Sequence, residues 1–280
     1  MSAATRGPGR DAPKPDAAAL LALAQRAARA AGEVLVERFR GPREAVRSKS
    51  TPTDLVSAAD LAAEQKIRAL LAAERPDDAV LAEEGGGAAG VSGLRWVVDP
   101  LDGTVNFLFG VPHWCVSIAC EDAGGTLAGV VLDPLRDECF VARRGHGATL
   151  VTGEAAAPAA PAALRGPPER DLEKALVATG FSYDAAVRER QGASAAAMLP
   201  RVRDLRRAGS AALDLAWTAA GRYDAYYEHG VYPWDVAAGL LLCQEAGLAR
   251  RDLAPQDGLP GGVAVAREAL VDRVAELATT

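Results

Sequence analysis

The chain has 280 residues, 49% of them hydrophobic and 24% charged, with a formal net charge of −6 and a pI near 5.3. This composition supports a large buried core in one domain or two closely joined halves. It argues against sequence-independent nucleic-acid binding, which needs a basic face. The sequence contains no run of 18 apolar residues and opens without an apolar leader, so a cytoplasmic protein with no membrane partner is expected. Cys115, Cys120, Cys139 and Cys243 show neither CxxC nor Cys/His spacing and read as reduced, mostly buried thiols.

In chain order, residues 1–15 are rich in Gly, Pro and charge and read as a disordered tail. Asp16 is a plausible N-cap for a first helix, in which Leu20, Leu23, Ala27, Ala31, Val34 and Leu35 recur at helical spacing until Gly41-Pro42. A second helix begins near Ser57, where Ser57-Ala-Ala-Asp60 matches a capping box, and runs to Pro76. Short strands follow at Ala79–Ala82 and Arg95–Val98, and then CVSIACED, TLAGVVLD and ECFVARRG pair most simply as an antiparallel meander. The Ala/Pro-rich stretch from Gly153 to Pro168 cannot form an interior strand and reads as a surface connection. Beyond it, strand candidates ALVATG, DLRRAG and DAYYEHG alternate with helical stretches. An apolar helix opens at Trp234-Asp235 and ends at Gly247, and a terminal helix starts from Arg267. The chain therefore divides into a tail (1–15), a first half (16–152), a connection (153–170) and a second half (171–280). The fold class is α+β in layers, with an antiparallel sheet first and a mixed sheet second.

Acids recur at the ends of these elements: Glu83 and Glu84 after one strand, Asp99 and Asp102 after the next, Asp235 at a helix start. Each alone fits a cap, a dipole partner or a solvated loop acid. Together, Glu83, Asp99, Asp102 and Asp235 make an oxygen-only donor set suited to hard divalent cations. The three widely separated histidines, His113, His146 and His229, offer no zinc cage. Two magnesium or manganese ions would neutralise four carboxylates, and such pairs serve phosphoryl transfer. A helical turn starting at Gly103-Thr104 would turn their backbone N–H groups toward a phosphate.

Asp99-Pro-Leu-Asp102-Gly-Thr104-Val-Asn106-Phe107, the Glu83-Glu84 pair, Trp234-Asp235-Val-Ala-Ala-Gly239 and the run from Lys49 through Thr53-Asp54-Leu55-Val56 to Asp60 occur in this order. In these motifs the sequence resembles the inositol monophosphatase-like family of magnesium-dependent, lithium-sensitive phosphatases, over roughly residues 17–280. The resemblance implies a layered αβαβα sandwich, commonly a homodimer, binding two or three Mg2+ ions. It implies Glu83, Asp99 and the Leu101 carbonyl as ligands of one ion, and Asp99, Asp102 and Asp235 as ligands of a second. It further implies that Thr104, oriented by Asp60, positions the attacking water, and that Glu84 supports the site from behind. For substrate it implies Gly103, Thr104, Ser210, Ala211 and, toward inositol hydroxyls, Glu228. A solvated strand-end acid is the plain alternative for Glu228, and a capping role the plain alternative for Asp60. Relatives with the same metal core act on histidinol phosphate, fructose bisphosphate or nucleotide-linked phosphates. Some bacterial relatives work in RNA transcription instead. For that reading Arg201, Arg203, Arg206 and Arg207 are the dense basic cluster.

Overall fold

A computed structural model describes residues 16–41, 46–48, 55–153, 160–256 and 258–280. The expected tail (1–15), residues 49–54 of the Lys49–Asp60 run and residues 154–159 of the Ala/Pro stretch lie outside the described residues, as does the Ser57 side chain of the expected capping box.

The first half contains α1 (Ala17–Arg40), β1 (Val46–Ser48), β2 (Leu55–Ser57), α2 (Ala58–Glu74), β3 (Ala79–Ala82), β4 (Gly86–Ala88) and β5 (Arg95–Asp102). It continues through α3 (Thr104–Phe109), β6 (Cys115–Asp122), β7 (Gly125–Asp133), β8 (Glu138–Arg143) and β9 (Ala148–Thr152). After the two-residue β10 (Ala162–Ala163) come β11 (Leu176–Thr179), α4 (Ala185–Met198), β12 (Asp204–Arg206), α5 (Ala211–Ala219) and β13 (Ala225–His229). The chain closes with α6 (Pro233–Glu245), β14 (Ala249–Leu253), β15 (Gly262–Ala266) and α7 (Glu268–Ala278).

Local chemistry accounts for the first helix. Asp16 caps α1, its Oδ1 accepting from the Ala18 and Ala19 N–H groups at 3.0 and 3.2 Å. The buried face of α1 is Leu20, Leu23, Ala24, Ala27, Ala28, Ala31 and Leu35, and its alanines leave room for close approach to α2 and the sheet.

An eight-stranded sheet runs in the order β10-β9-β8-β7-β6-β5-β3-β4, antiparallel except where β3 and β5 pair in parallel. A five-stranded mixed sheet has the order β12-β11-β13-β15-β14. The period-2 alternation of strands fixes the layering. Trp96, Val98, Ile118 and Val130 pack against α1 and α2, whereas Val97, Ala119, Val131 and Phe140 point to the opposite face. That second face meets α5 and α6, which also cover Ala178, Tyr226, Val263 and Val265 of the five-stranded sheet. The far face of the smaller sheet, with Val177, Ala225, Tyr227 and Ala264, is covered by α7 and by Met198 of α4. The result is the αβαβα sandwich, whose middle layer belongs to the cores of both halves.

One expected boundary moves. The strand placed at Arg95–Val98 continues to Asp102, so Asp99 and Asp102 lie within β5 rather than after it. Its pairing with β6 shifts register between these two residues. Pro100 has no N–H to give to a ladder, so an irregularity at this point is the physical consequence. The four cysteines are unpaired and buried, and no described helix is long and apolar enough to cross a membrane.

Candidate active site

The irregular end of β5, the turn after β3, the start of α5, the end of β13 and the first turn of α6 surround one cavity of about 570 Å3. Glu83, Asp99, Leu101, Asp102, Gly103 and Thr104 line it from the first half, and Ser210, Ala211, Glu228 and Asp235 from the second. These residues span more than 150 positions of sequence, and the shared middle layer brings them together.

Hydrogen bonds hold Asp99, Asp102 and Asp235 in place. Asp99 Oδ1 accepts from the Leu101 N–H at 3.0 Å, closing the turn around Pro100. Asp102 Oδ2 accepts from Ser210 Oγ at 2.7 Å and from the Ala212 N–H at 2.6 Å, which ties β5 to the start of α5. Asp235 Oδ2 accepts from the Tyr232 N–H at 2.7 Å, so it caps α6 and faces the cavity at once. Gly103, at φ 97°, is the left-handed residue that turns the chain from β5 into α3.

Thr104 Oγ1 lies 3.0 Å from Asp60 Oδ1 and 3.0 Å from the Leu101 carbonyl. A hydroxyl has one proton, so it donates to one of these two at a time and keeps lone-pair capacity toward the cavity. Asp60, at 0% exposure, stands behind the cavity wall. Glu84 is outside the lining; its backbone N–H donates to Glu64 Oε2 at 2.9 Å. Glu64 is a residue that motif reading passed over. Its carboxylate also accepts from the Gly85 N–H and from Arg68, clamping the turn that presents Glu83. The available signal was the i,i+4 spacing of Asp60 and Glu64, which puts both on one face of α2. Arg207 also lines the cavity and was singled out only as part of a basic cluster.

The electrostatics are those of crowded, desolvated acids. Burial, then the charges of Glu83, Asp102 and Asp235, push the Asp99 carboxyl well above its usual range. Burial and Asp102 do the same to Asp235. Burial raises Asp102, opposed by the hydrogen bonds from Ser210 and Ala212. Glu228 rises to about 8, through burial and then Asp214, while Tyr226 Oη donates to it at 3.0 Å. Gly180 passes directly over this carboxylate: a Cβ there would sit 2.0 Å from Glu228 Oε1. Among the described residues no three His, Cys, Asp or Glu side chains form a ready metal cage. What favours a cation is the charge: an oxygen-only set of mutually repelling acids around a shared space fits a hard divalent ion.

Residues 16–279 match the model of the inositol monophosphatase family. The chain belongs to that family. It is 47% identical over 227 residues to inositol-1-monophosphatase SuhB of Mycobacterium tuberculosis, covering 79% of this chain and 77% of that one. It is 44% identical over 238 residues to Nus factor SuhB of Pseudomonas aeruginosa, covering 81% of this chain and 83% of that one. Among solved structures, the extragenic suppressor protein suhB of Bartonella henselae superposes with a TM-score of 0.83 at 34% identity, over 94% of this chain and 99% of that one. As an inositol monophosphatase family member, the chain is a phosphomonoesterase, and the family is metal-dependent.

Proposed function

We propose that the protein is a magnesium-dependent phosphatase of small polyol phosphates, with inositol monophosphate as its first candidate substrate. The observation that carries this is the meeting of Glu83, Asp99, Asp102 and Asp235 with Thr104 in one cavity. The name of the Mycobacterium tuberculosis relative supports the substrate. Glu83, Asp99 and the Leu101 carbonyl would hold one ion, and Asp99, Asp102 and Asp235 another. Bound there, Mg2+ supplies charge stabilisation to the phosphoryl oxygens and activates water.

The chain's own groups do the positioning. Thr104 Oγ1, donating to Asp60, keeps a lone pair for the attacking water and so orients it. Ser210 and the Ala212 N–H keep Asp102 aimed at the cavity. Glu228 takes hydrogen bonds from the hydroxyls of the leaving alcohol, beside Ser210 and Ala211, and Gly103 lets backbone approach the phosphate. Glu64 and Glu84 hold the turn that presents Glu83.

A panel of phosphate monoesters assayed with Mg2+ tests the reading: turnover of inositol monophosphate, abolished by EDTA and restored by Mg2+, is expected, and full turnover after exhaustive chelation overturns it. Binding in a transcription complex is the second reading, supported by the name of the Pseudomonas aeruginosa relative. The arginine cluster gives it little: Arg206 is paired with Asp204 and Arg207 turns to the cavity. An Asp102→Asn variant separates the two, since it should abolish hydrolysis and leave RNA binding untouched. A homodimer is part of the proposal, and sedimentation equilibrium at twice the chain's 29.0 kDa is the expected result.

A further inference from the structure

Among the described residues, Arg207 is the one side chain of permanent positive charge in the wall of an otherwise acidic cavity. His229 also reaches the wall, but Pro260 O and Ala278 O occupy its two ring nitrogens, at 2.9 and 3.0 Å. Arg207 itself forms no ion pair among the described residues. Its single hydrogen bond there is from Nη2 to Phe181 O at 3.5 Å, a length at which such a bond contributes little. The neighbouring Arg206, by contrast, is neutralised by Asp204.

The position of the guanidinium is set by the turn beneath it. Asn106 Nδ2 donates to the carbonyls of Ala208 and Gly209 at 2.9 and 3.4 Å, pinning the segment between β12 and α5. Gly209, at φ 97°, carries no side chain, and a Cβ there would meet Arg207 Nη1 at 2.6 Å. The guanidinium therefore lies back over the glycine at the solvent-exposed rim of the cavity. Its charge reaches Glu228 and Asp214, lowering both against the burial that raises them. It thus stands on the side of the cavity that takes the leaving alcohol, and its planar fork suits a carboxylate or phosphate oxygen pair.

We infer that Arg207 is a specificity-determining residue that selects phosphate monoesters whose alcohol part carries a second anionic group, phosphate or carboxylate. This rests on the phosphatase reading above. The acids of the cavity would otherwise repel such substrates, and a guanidinium that forms no ion pair among the described residues, on the leaving-group side, reverses that preference.

Three size-matched probes test it with Mg2+: glycerol 1-phosphate, 3-phosphoglycerate and glycerol 1,3-bisphosphate. The readout is the kcat/KM of each doubly anionic probe divided by that of glycerol 1-phosphate, which cancels any general loss from misfolding. Arg207→Ala should lower this ratio at least tenfold, mainly through KM, and Arg207→Lys should recover part of it. Loss confined to the bisphosphate assigns the site to phosphate, and loss confined to 3-phosphoglycerate assigns it to carboxylate. A ratio within threefold of wild type for both probes reduces Arg207 to a solvated surface residue and overturns the inference, while glycerol 1-phosphate turnover leaves the phosphatase reading standing. No turnover of any monoester by the wild type removes both.

Discussion

Asp60 shows how a single carboxylate acquires a role from its partner. Its position in Ser57-Ala-Ala-Asp60 fits a helix cap, but its Oδ1 faces the Thr104 hydroxyl at 3.0 Å across 44 residues of sequence. Under the proposed mechanism, Asp60→Asn keeps the fold and lowers kcat at least ~100-fold, on the order of 2.7 kcal/mol in the barrier. Under a purely capping role it melts earlier by an amount worth roughly 0.5–2 kcal/mol and reacts almost as fast. Melting temperature and single-turnover rate on one preparation decide between them. Glu228 carries a second residue-scale prediction. Its carboxyl rises from 4.5 to about 8 in the folded protein, chiefly through burial. Between these values the folded state holds a proton that the unfolded chain has lost. The associated stability is therefore complete below pH 4.5 and disappears as pH climbs toward 8, with a slope of up to about 1.4 kcal/mol per pH unit. Thermal melts in EDTA across this range should show it, and Glu228→Gln should flatten the profile; a parallel profile would place the titration elsewhere.

At the scale of elements, the end of β5 is where regular structure gives way to function. The register shift between Asp99 and Asp102 takes the strand out of its ladder with β6 just where both acids reach the cavity. Gly103 then reverses the backbone at φ 97°, and a Cβ there would stand 3.0 Å from the His113 carbonyl and 3.1 Å from Trp114 Cβ. Gly103→Ala is thus strained twice, by conformation and by contact. It should cost roughly 1–3 kcal/mol in denaturant unfolding and should also displace Thr104 from Asp60, lowering kcat. Wild-type midpoint and rate together would show that the turn tolerates a side chain. On the neighbouring turn, Glu64 of α2 holds the Glu84 and Gly85 N–H groups at 2.9 Å each. A helix therefore supports a loop that belongs to the sheet.

For the whole molecule, the decisive feature is the shared middle layer. α5 and α6 fill the space between two sheets, and each contributes at its N-terminal end: α5 by holding Asp102 through Ser210 and Ala212, α6 by presenting Asp235. The site thus closes only when both halves are folded together. Mg2+ binding at the acids should then stabilise the complete molecule by mass action, raising the melting temperature with ion concentration. Asp102→Asn should shrink that rise and lower activity at least ~100-fold, about 2.7 kcal/mol. A melting temperature indifferent to Mg2+ in the wild type would contradict the proposed ligand set.

Much of this was legible in the residues themselves. The Asp16 cap, the apolar stripe of the first helix, the meander of the large sheet and the order of the acidic motifs are all short-range patterns, set by hydrogen-bond offsets and side-chain periodicity within about ten residues. The same local chemistry made an oxygen-only donor set readable before any geometry. Tertiary structure decided what periodicity does not encode: that β5 runs on through Asp99 to Asp102 with a shifted register, that Glu64 braces the Glu83 turn, and that Asp60 meets Thr104. It also placed Arg207, read as part of a basic cluster, at the rim of an acidic cavity. Each of these depends on partners far away in sequence, which only the packing of two sheets around α5 and α6 brings within hydrogen-bond reach.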